Sequence, residues 1–346
     1  MLDMMTRKVF YGAAALLALF ALFVSSSETK ADEPSPSETK RLEPTYIRPG
    51  ADPWVIERRG KYYWSQSNNP AQSICLWESD SLDEPGKRHT IWRAPRRGPY
   101  SRELWAPEIH FFNGRFYVLF AASNGRNENH RTYVLISEND DPFSEYELHG
   151  PVYTGDSEDG ESNNRWAIDA TYFVHQDKFY LIWSGWEDDQ DIQYLYIAPL
   201  QDNLTQTAGP RVKICDNADY LWERVEERPE TRGLAEGPEI LRAPNGRVFL
   251  SYSCGASWLP TYKVALLELV GSDPLDPNSW KKFDKPWFQS DEFQFGVGHG
   301  SFIRDTTGQM RYYYHAKTKR EGGWNDRAVF WRYVDFDEDC MPAIRY

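Results

Sequence analysis

Cysteine is scarce in this sequence. Cys75, Cys215, Cys254 and Cys340 are the four in 346 residues, and no two of them have metal-ligand spacing. That excludes a zinc finger or ribbon and a Cys-x-x-Cys redox centre. Export would permit a disulfide, but spacing pairs none of them. Cys254, inside the strand-like run Leu250-Ser251-Tyr252-Ser253-Cys254, is expected to be a buried free thiol. Positive charge is also short. Lys and Arg number 39 against 52 Asp and Glu, for a net charge of −13. A nucleic-acid partner needs the opposite balance, because binding works by displacing counterions from phosphate. Strongly anionic substrates and membrane surfaces are disfavoured for the same reason. Helical periodicity is nearly absent past residue 43, which argues against bundles and α/β folds. Long apolar runs are missing except for one, from Val9 to Val24.

That run follows Arg7 and Lys8 and precedes Thr29-Lys30-Ala31, a small-x-small cleavage pattern. It reads as a signal peptide over residues 1–31, followed by a flexible Pro/Ser/Glu-rich leader over 32–43. Its length is at the short limit for a membrane span, so an uncleaved anchor is the alternative. The expected destination is secreted or periplasmic, with no membrane contact after cleavage.

Aromatic residues are abundant at 15%, including 14 Trp and 21 Tyr. They suit a β core, and some suit stacking on sugar rings. Short strands with turn signals recur, and five segments lie over one another. Asp52-Pro53-Trp54-Val55-Ile56 turns at Gly60 into Lys61-Tyr62-Tyr63-Trp64. Ala106-Pro107-Glu108-Ile109-His110 turns at Asn113-Gly114 into Arg115-Phe116-Tyr117. Asp169-Ala170-Thr171-Tyr172-Phe173 turns at Asp177 into Lys178-Phe179-Tyr180. Gly237-Pro238-Glu239-Ile240-Leu241 turns at Asn245-Gly246 into Arg247-Val248-Phe249. Gly300-Ser301-Phe302-Ile303 turns at Gly308 into Met310-Arg311-Tyr312. The spacing fits four-stranded blades, and the fold expected over residues 44–346 is an all-β, five-bladed β-propeller.

In a propeller the innermost strand of each blade lines the axis. Asp52, Glu108, Asp169 and Glu236, from blades one to four, are therefore expected to converge. His299 occupies the matching place in blade five. Crowded carboxylates cannot all ionise, so one stays protonated while another is anionic. Glycoside hydrolysis needs such a pair, an acid for the leaving oxygen and a base for water. Trp54, Trp105 and Trp166 flank the acids and suit a sugar subsite.

The set Ala51-Asp52-Pro53, Trp105-Ala106-Pro107-Glu108, Ala167-Ile168-Asp169, Glu236-Gly237-Pro238 and Gly298-His299-Gly300-Ser301-Phe302 resembles glycoside hydrolase family 43, with the motifs in that family's order. The resemblance spans residues 45–346. It implies an inverting hydrolase with Asp52 as general base, Asp169 as the residue that tunes the acid's pKa, and Glu236 as general acid. Glu239 is assigned to the strand rather than to the chemistry. By the same resemblance, Glu108 and Arg327 join the tryptophans at the sugar, and His299 contacts a calcium or sodium ion through water. No cofactor is required for the chemistry. Trp183-Ser184-Gly185-Trp186-Glu187 and Gly209-Pro210-Arg211-Val212 are similar to the family's exo-acting α-L-arabinofuranosidases. Gly296-Val297-Gly298-His299-Gly300-Ser301 and Ala170 depart from that group's pattern, in ways that bear on linkage specificity. The expected partner is an arabinose-containing oligo- or polysaccharide, and the expected state a monomer. A β-xylosidase, an exo-galactosidase or an endo-arabinanase on the same fold is the near alternative. A carbohydrate-binding propeller without catalysis is the distant one.

Overall fold

The inner hairpin of each blade is set by its turn. Arg59-Gly60, Asn113-Gly114 and Gln176-Asp177 all have positive φ at both residues. That geometry matches the right-handed twist of paired strands. Each turn joins an inner strand to a second strand whose side chains are almost all buried, as in Arg115–Ser123 and Val248–Cys254. Strands covered on both faces read as near-continuous apolar runs, and these do.

A computed structural model describes residues 42–67, 69, 72–158, 163–188, 190–217 and 219–346. The expected signal peptide and almost all of the expected leader lie outside the described residues. Among those described, no helix is long and apolar enough to cross a membrane. The strands form five antiparallel sheets, four of them four-stranded. The inner strands are Ala51–Arg58, Arg102–Phe112, Ala167–His175, Ala235–Arg242 and Phe295–Arg304. Each neighbours the next around a ring, and the fifth returns to the first. The architecture is the five-bladed β-propeller.

Chain closure was not legible in the hairpin repeat. Thr45–Pro49 does not belong to blade one. It pairs with Arg327–Phe336 of blade five, with Thr45 opposite Trp331. Pro342–Ile344 pairs farther along the same strand. Blade five is thus sealed by both ends of the propeller sequence.

The core is divided between the blades. An apolar cluster fills each of the five interfaces: Trp54 with Phe120 between blades one and two, Leu119 with Leu181 between two and three, and Ile182 with Leu250 between three and four. Phe249 with Tyr312 and Trp64 with Tyr313 complete the ring. Truncating any fully buried Leu or Ile here costs about 2–5 kcal/mol. Cys75, Cys215 and Cys254 are buried and Cys340 half-buried, and all four are free thiols.

Candidate active site

All five inner strands break register at the same repeat position. The pairs Ala51↔Ser67 and Trp54↔Ser65 enclose one extra residue, and so do Trp105↔Ala121 with Glu108↔Leu119. The same holds for Ile168↔Ser184 with Thr171↔Ile182, Glu236↔Ser253 with Glu239↔Ser251, and Gly298↔His315 with Ser301↔Tyr313. At each bulge one residue has φ between +43° and +56°: Asp52, Ala106, Asp169, Gly237 and His299. For the four that are not glycine this conformation costs about 1–3 kcal/mol each. A bulge re-aims side chains and frees a backbone N–H from the ladder. Three of the freed groups find side-chain acceptors: Ala106 N donates to Ser67 Oγ, Gly237 N to Asp169 Oδ2 and His299 N to Ser253 Oγ.

The bulges sort the acids into two layers. Asp52, Asp169 and His299 are bulge residues, and Glu236 immediately precedes the bulge glycine. These four line a cleft of about 540 Å³ at one end of the axis. Glu108 and Glu239 stand two residues beyond their bulges, in register with Trp54, Thr171 and Ser301. That is the next layer down. Glu108 therefore does not join Asp52, Asp169 and Glu236 at the cleft wall. It is buried beside His110 Nε2 at 3.2 Å, and Glu239 acts on it electrostatically.

The upper layer is tied together by short contacts. Asp52 Oδ1 lies 3.1 Å from His315 Nδ1, 3.3 Å from His299 Nδ1 and 3.6 Å from Arg327 Nη1. A proton on His315 Nδ1 serves this carboxylate, the stronger acceptor. Asp169 accepts the Gly237 N–H at 3.1 Å, which links it to the residue after Glu236. Glu236 Oε1 accepts from the Tyr262 hydroxyl at 2.8 Å. Gly237 is demanded twice over: its φ is +56°, and a Cβ there would come within 2.8 Å of the His299 ring.

These contacts pull the carboxyls apart electrically. Burial by itself would raise Asp52, but His299, Arg327 and the His315 hydrogen bond outweigh it and hold the group well below the usual carboxylate range. Burial depresses His299 as well, against the pull of the Asp52 charge. Glu236 is pushed up to about 7, first by burial and then by the Asp52 charge, against the Tyr262 hydrogen bond and Arg327. Asp169 is raised well above its ordinary value by burial, then by Glu236 and Asp52. One anionic carboxylate thus faces a carboxyl that holds its proton up to neutrality.

The residues read as sugar contacts divide. Trp105, Trp166 and Arg327 line the cleft. Trp105 stacks on His130 at 3.9 Å, and Trp166 on Trp186 at 4.5 Å. Trp54 does not line it. Its Nε1 donates to the Ile109 carbonyl at 2.8 Å and its ring packs on His110. Two residues past the bulge, it faces blade two rather than the opening. Sequence reasoning missed Tyr262, His315, Trp258 and Trp324. The last two form an edge-to-face pair at 5.4 Å on the cleft's far side from Trp105, and Trp324 is 52% exposed. His315 comes from the second strand of blade five, and the other three from loops between the second and third strands of blades four and five, where the inner-strand repeat carries no signal.

No three His, Cys, Asp or Glu among the described residues are grouped to ligate a metal directly. Oxygen donors suited to a hard cation held through water do line the lower channel: Glu108, Glu239 and Ser301, whose hydroxyl is buried without a partner.

The comparisons with known proteins bear on the family and the fold. The family model for Glycosyl hydrolases family 43 matches residues 42–342. An extracellular exo-α-(1→5)-L-arabinofuranosidase from Streptomyces chartreusis is 31% identical over 91% of this chain and 92% of its own. A second protein of that description, from Streptomyces avermitilis, is 29% identical over 88% of this chain, which spans only 61% of it. The crystal structure of an α-L-arabinofuranosidase from Lactobacillus brevis superposes with a TM-score of 0.76 at 28% identity, covering 86% of this chain and 94% of that one. With a propeller fold and a family match across nearly all the described residues, this chain is a glycoside hydrolase and belongs to Glycosyl hydrolases family 43.

Proposed function

We propose that this protein releases terminal α-L-arabinofuranosyl units from arabinan- or arabinoxylan-type chains by single displacement with inversion. The observation that carries the reading is the electrical split between Asp52, held anionic, and Glu236, pushed up to about 7, on the walls of one cleft. Water attacks the anomeric carbon and gives its proton to the Asp52 carboxylate. The glycosidic C–O bond breaks as Glu236 passes its proton to the leaving oxygen. Atoms and charge balance: the sugar gains hydroxyl, the aglycone gains hydrogen, and the two carboxyls exchange protonation states until solvent restores them.

Asp169 acts on Glu236 rather than on the sugar. Its hydrogen bond to Gly237 N fixes the chain beside the acid. Arg327 balances the Asp52 charge and reaches the cleft, where its remaining N–H groups suit sugar hydroxyls. A calcium or sodium ion held through water by His299 and the oxygens below it would offset carboxylate charge in the channel.

The related proteins named above support arabinofuranose as the sugar. The test is product analysis on a panel of aryl α-L-arabinofuranosides, β-xylosides and galactosides together with linear arabinan. Turnover of the arabinofuranoside with monosaccharide release from arabinan is expected. Preference for another glycoside, or oligosaccharide release from arabinan, overturns the substrate assignment. Sugar binding by calorimetry without product overturns catalysis. The N-terminal pattern supports export, and N-terminal sequencing of the mature protein from a culture supernatant should begin near Asp32.

A further inference from the structure

We infer that the chain carries a second carbohydrate subsite, on the rim between blades one and two, for the neutral sugars that follow the one bound in the central cleft. This rests on the reading of the central cleft given above. A separate cavity of about 390 Å³ opens beside the main one, lined in part by Gln72, Arg102 and Asn124. Glu103 and Trp105 line both cavities. These shared walls set the second cavity next to the cleft, within reach of a chain that extends past Trp105.

The shared wall is built by a strand distortion. Arg102 pairs with Ser123 and Trp105 with Ala121, so one extra residue is enclosed between them, with Glu103 at φ +52°. This second bulge in Arg102–Phe112 re-aims the strand's entry toward the rim. Glu103 is anchored by Ser123 Oγ, and His130 covers one face of the Trp105 ring.

The wall chemistry points to a sugar. Vicinal hydroxyls both donate and accept, and planar amide, guanidinium and carboxylate groups meet them in pairs. Arg102 is exposed and donates Nη1 to the Ser101 carbonyl. It forms no ion pair with a described residue. The Asn124 carbonyl oxygen is used by Asn129, which leaves its amide hydrogens as donors. One cation and one anion in the wall leave no net charge, which suits a neutral pentose or hexose better than an acidic sugar. The half-buried Trp105 ring gives the apolar face that sugar rings stack against.

The test compares kcat/KM for an aryl α-L-arabinofuranoside with that for α-1,5-linked arabino-oligosaccharides from disaccharide to tetrasaccharide. In the unmodified protein, kcat/KM is expected to rise with chain length. Arg102→Ala and Asn124→Ala should each cut that gain by about tenfold, mainly through KM, as expected for lost ground-state contacts. The aryl substrate should stay within about twofold in both, with melting temperatures unchanged. A flat chain-length series in the unmodified protein overturns the subsite, whatever the variants do. Variants that depress the aryl substrate equally, or that leave the oligosaccharides untouched, overturn it as well. Failure to turn over the aryl arabinofuranoside at all overturns the central-cleft reading and this inference with it.

Discussion

Glu236 and Glu239 lie three residues apart on one strand, both buried, both pushed above the ordinary glutamate value first by burial. Their surroundings differ. Glu236 opens onto the cleft and is held by a phenol, with an anionic Asp52 and a cationic Arg327 acting on it. Glu239 is absent from the cleft wall, accepts backbone N–H groups of Ile240 and Phe302, and faces Glu108 across the channel. The bulge at Gly237 separates them into layers. Burial alone therefore does not make an acid catalytic. What distinguishes the upper layer is access to substrate and a partner set that splits its carboxyls into one donor and one acceptor of protons.

Four substitutions break or sharpen that contrast. Asp52→Asn removes the cleft carboxylate held well below its ordinary range, and kcat should fall by about 10²–10⁴ on every substrate, read by steady-state rates. Glu236→Gln should cost nearly as much on natural glycosides, whose leaving oxygen needs a proton. The loss should be clearly smaller with a nitrophenyl leaving group, and equal losses on both would remove Glu236 as the acid. Tyr262→Phe acts on the same proton more gently. The donated hydrogen bond stabilises the Glu236 anion, so losing it raises the acid's pKa. With Glu236 as the proton donor, activity should decline as pH rises through about 7. The alkaline limb of the pH–rate profile should therefore move up by about half to one unit. A limb that stays or moves down contradicts the assigned contact.

Glu239→Gln should be the mildest, with kcat/KM on the aryl substrate within about threefold. Its signature is in stability. A carboxyl raised above its ordinary value of 4.5 in the folded state stabilises fully below that pH and progressively less as pH rises. Glutamine has no such loss. The melting temperature of Glu239→Gln relative to the unmodified protein should thus climb as pH increases above 4.5. A falling difference would show that the group is anionic and paired when folded.

Much of this arrangement was legible in the residues, and the exceptions have physical causes. The self-similar hairpins exposed the five blades, because turn chemistry and apolar runs repeat wherever a blade repeats. Asp52, Asp169, Glu236 and His299 stand out because bulge positions recur in the same place. Glu108 converges on the axis but at another depth, since Ala-Pro-Glu in blade two matches Gly-Pro-Glu239 of blade four. The bulge sets Glu108 level with Glu239 and leaves Trp105 level with Glu236. Glu108 thus lies deeper along the channel than the cleft acids, and Trp54, also two residues past its bulge residue, packs toward blade two. Thr45–Pro49 closes blade five through a pairing nearly 290 residues distant, for example Thr45 with Trp331, and local pattern has no reach over such a separation. Tyr262, His315, Trp258 and Trp324 lie outside the inner strands, and only the three-dimensional ring brings them to the acids.

The most direct test of the account is proton NMR of the first sugar released from an α-linked arabinofuranosyl substrate, recorded before mutarotation scrambles the anomers. Water activated by Asp52 on the face opposite the leaving group predicts β-arabinofuranose as the initial product. An initial α-anomer would mean retention through a covalent intermediate and would contradict the assignment of Asp52 as base and Glu236 as acid.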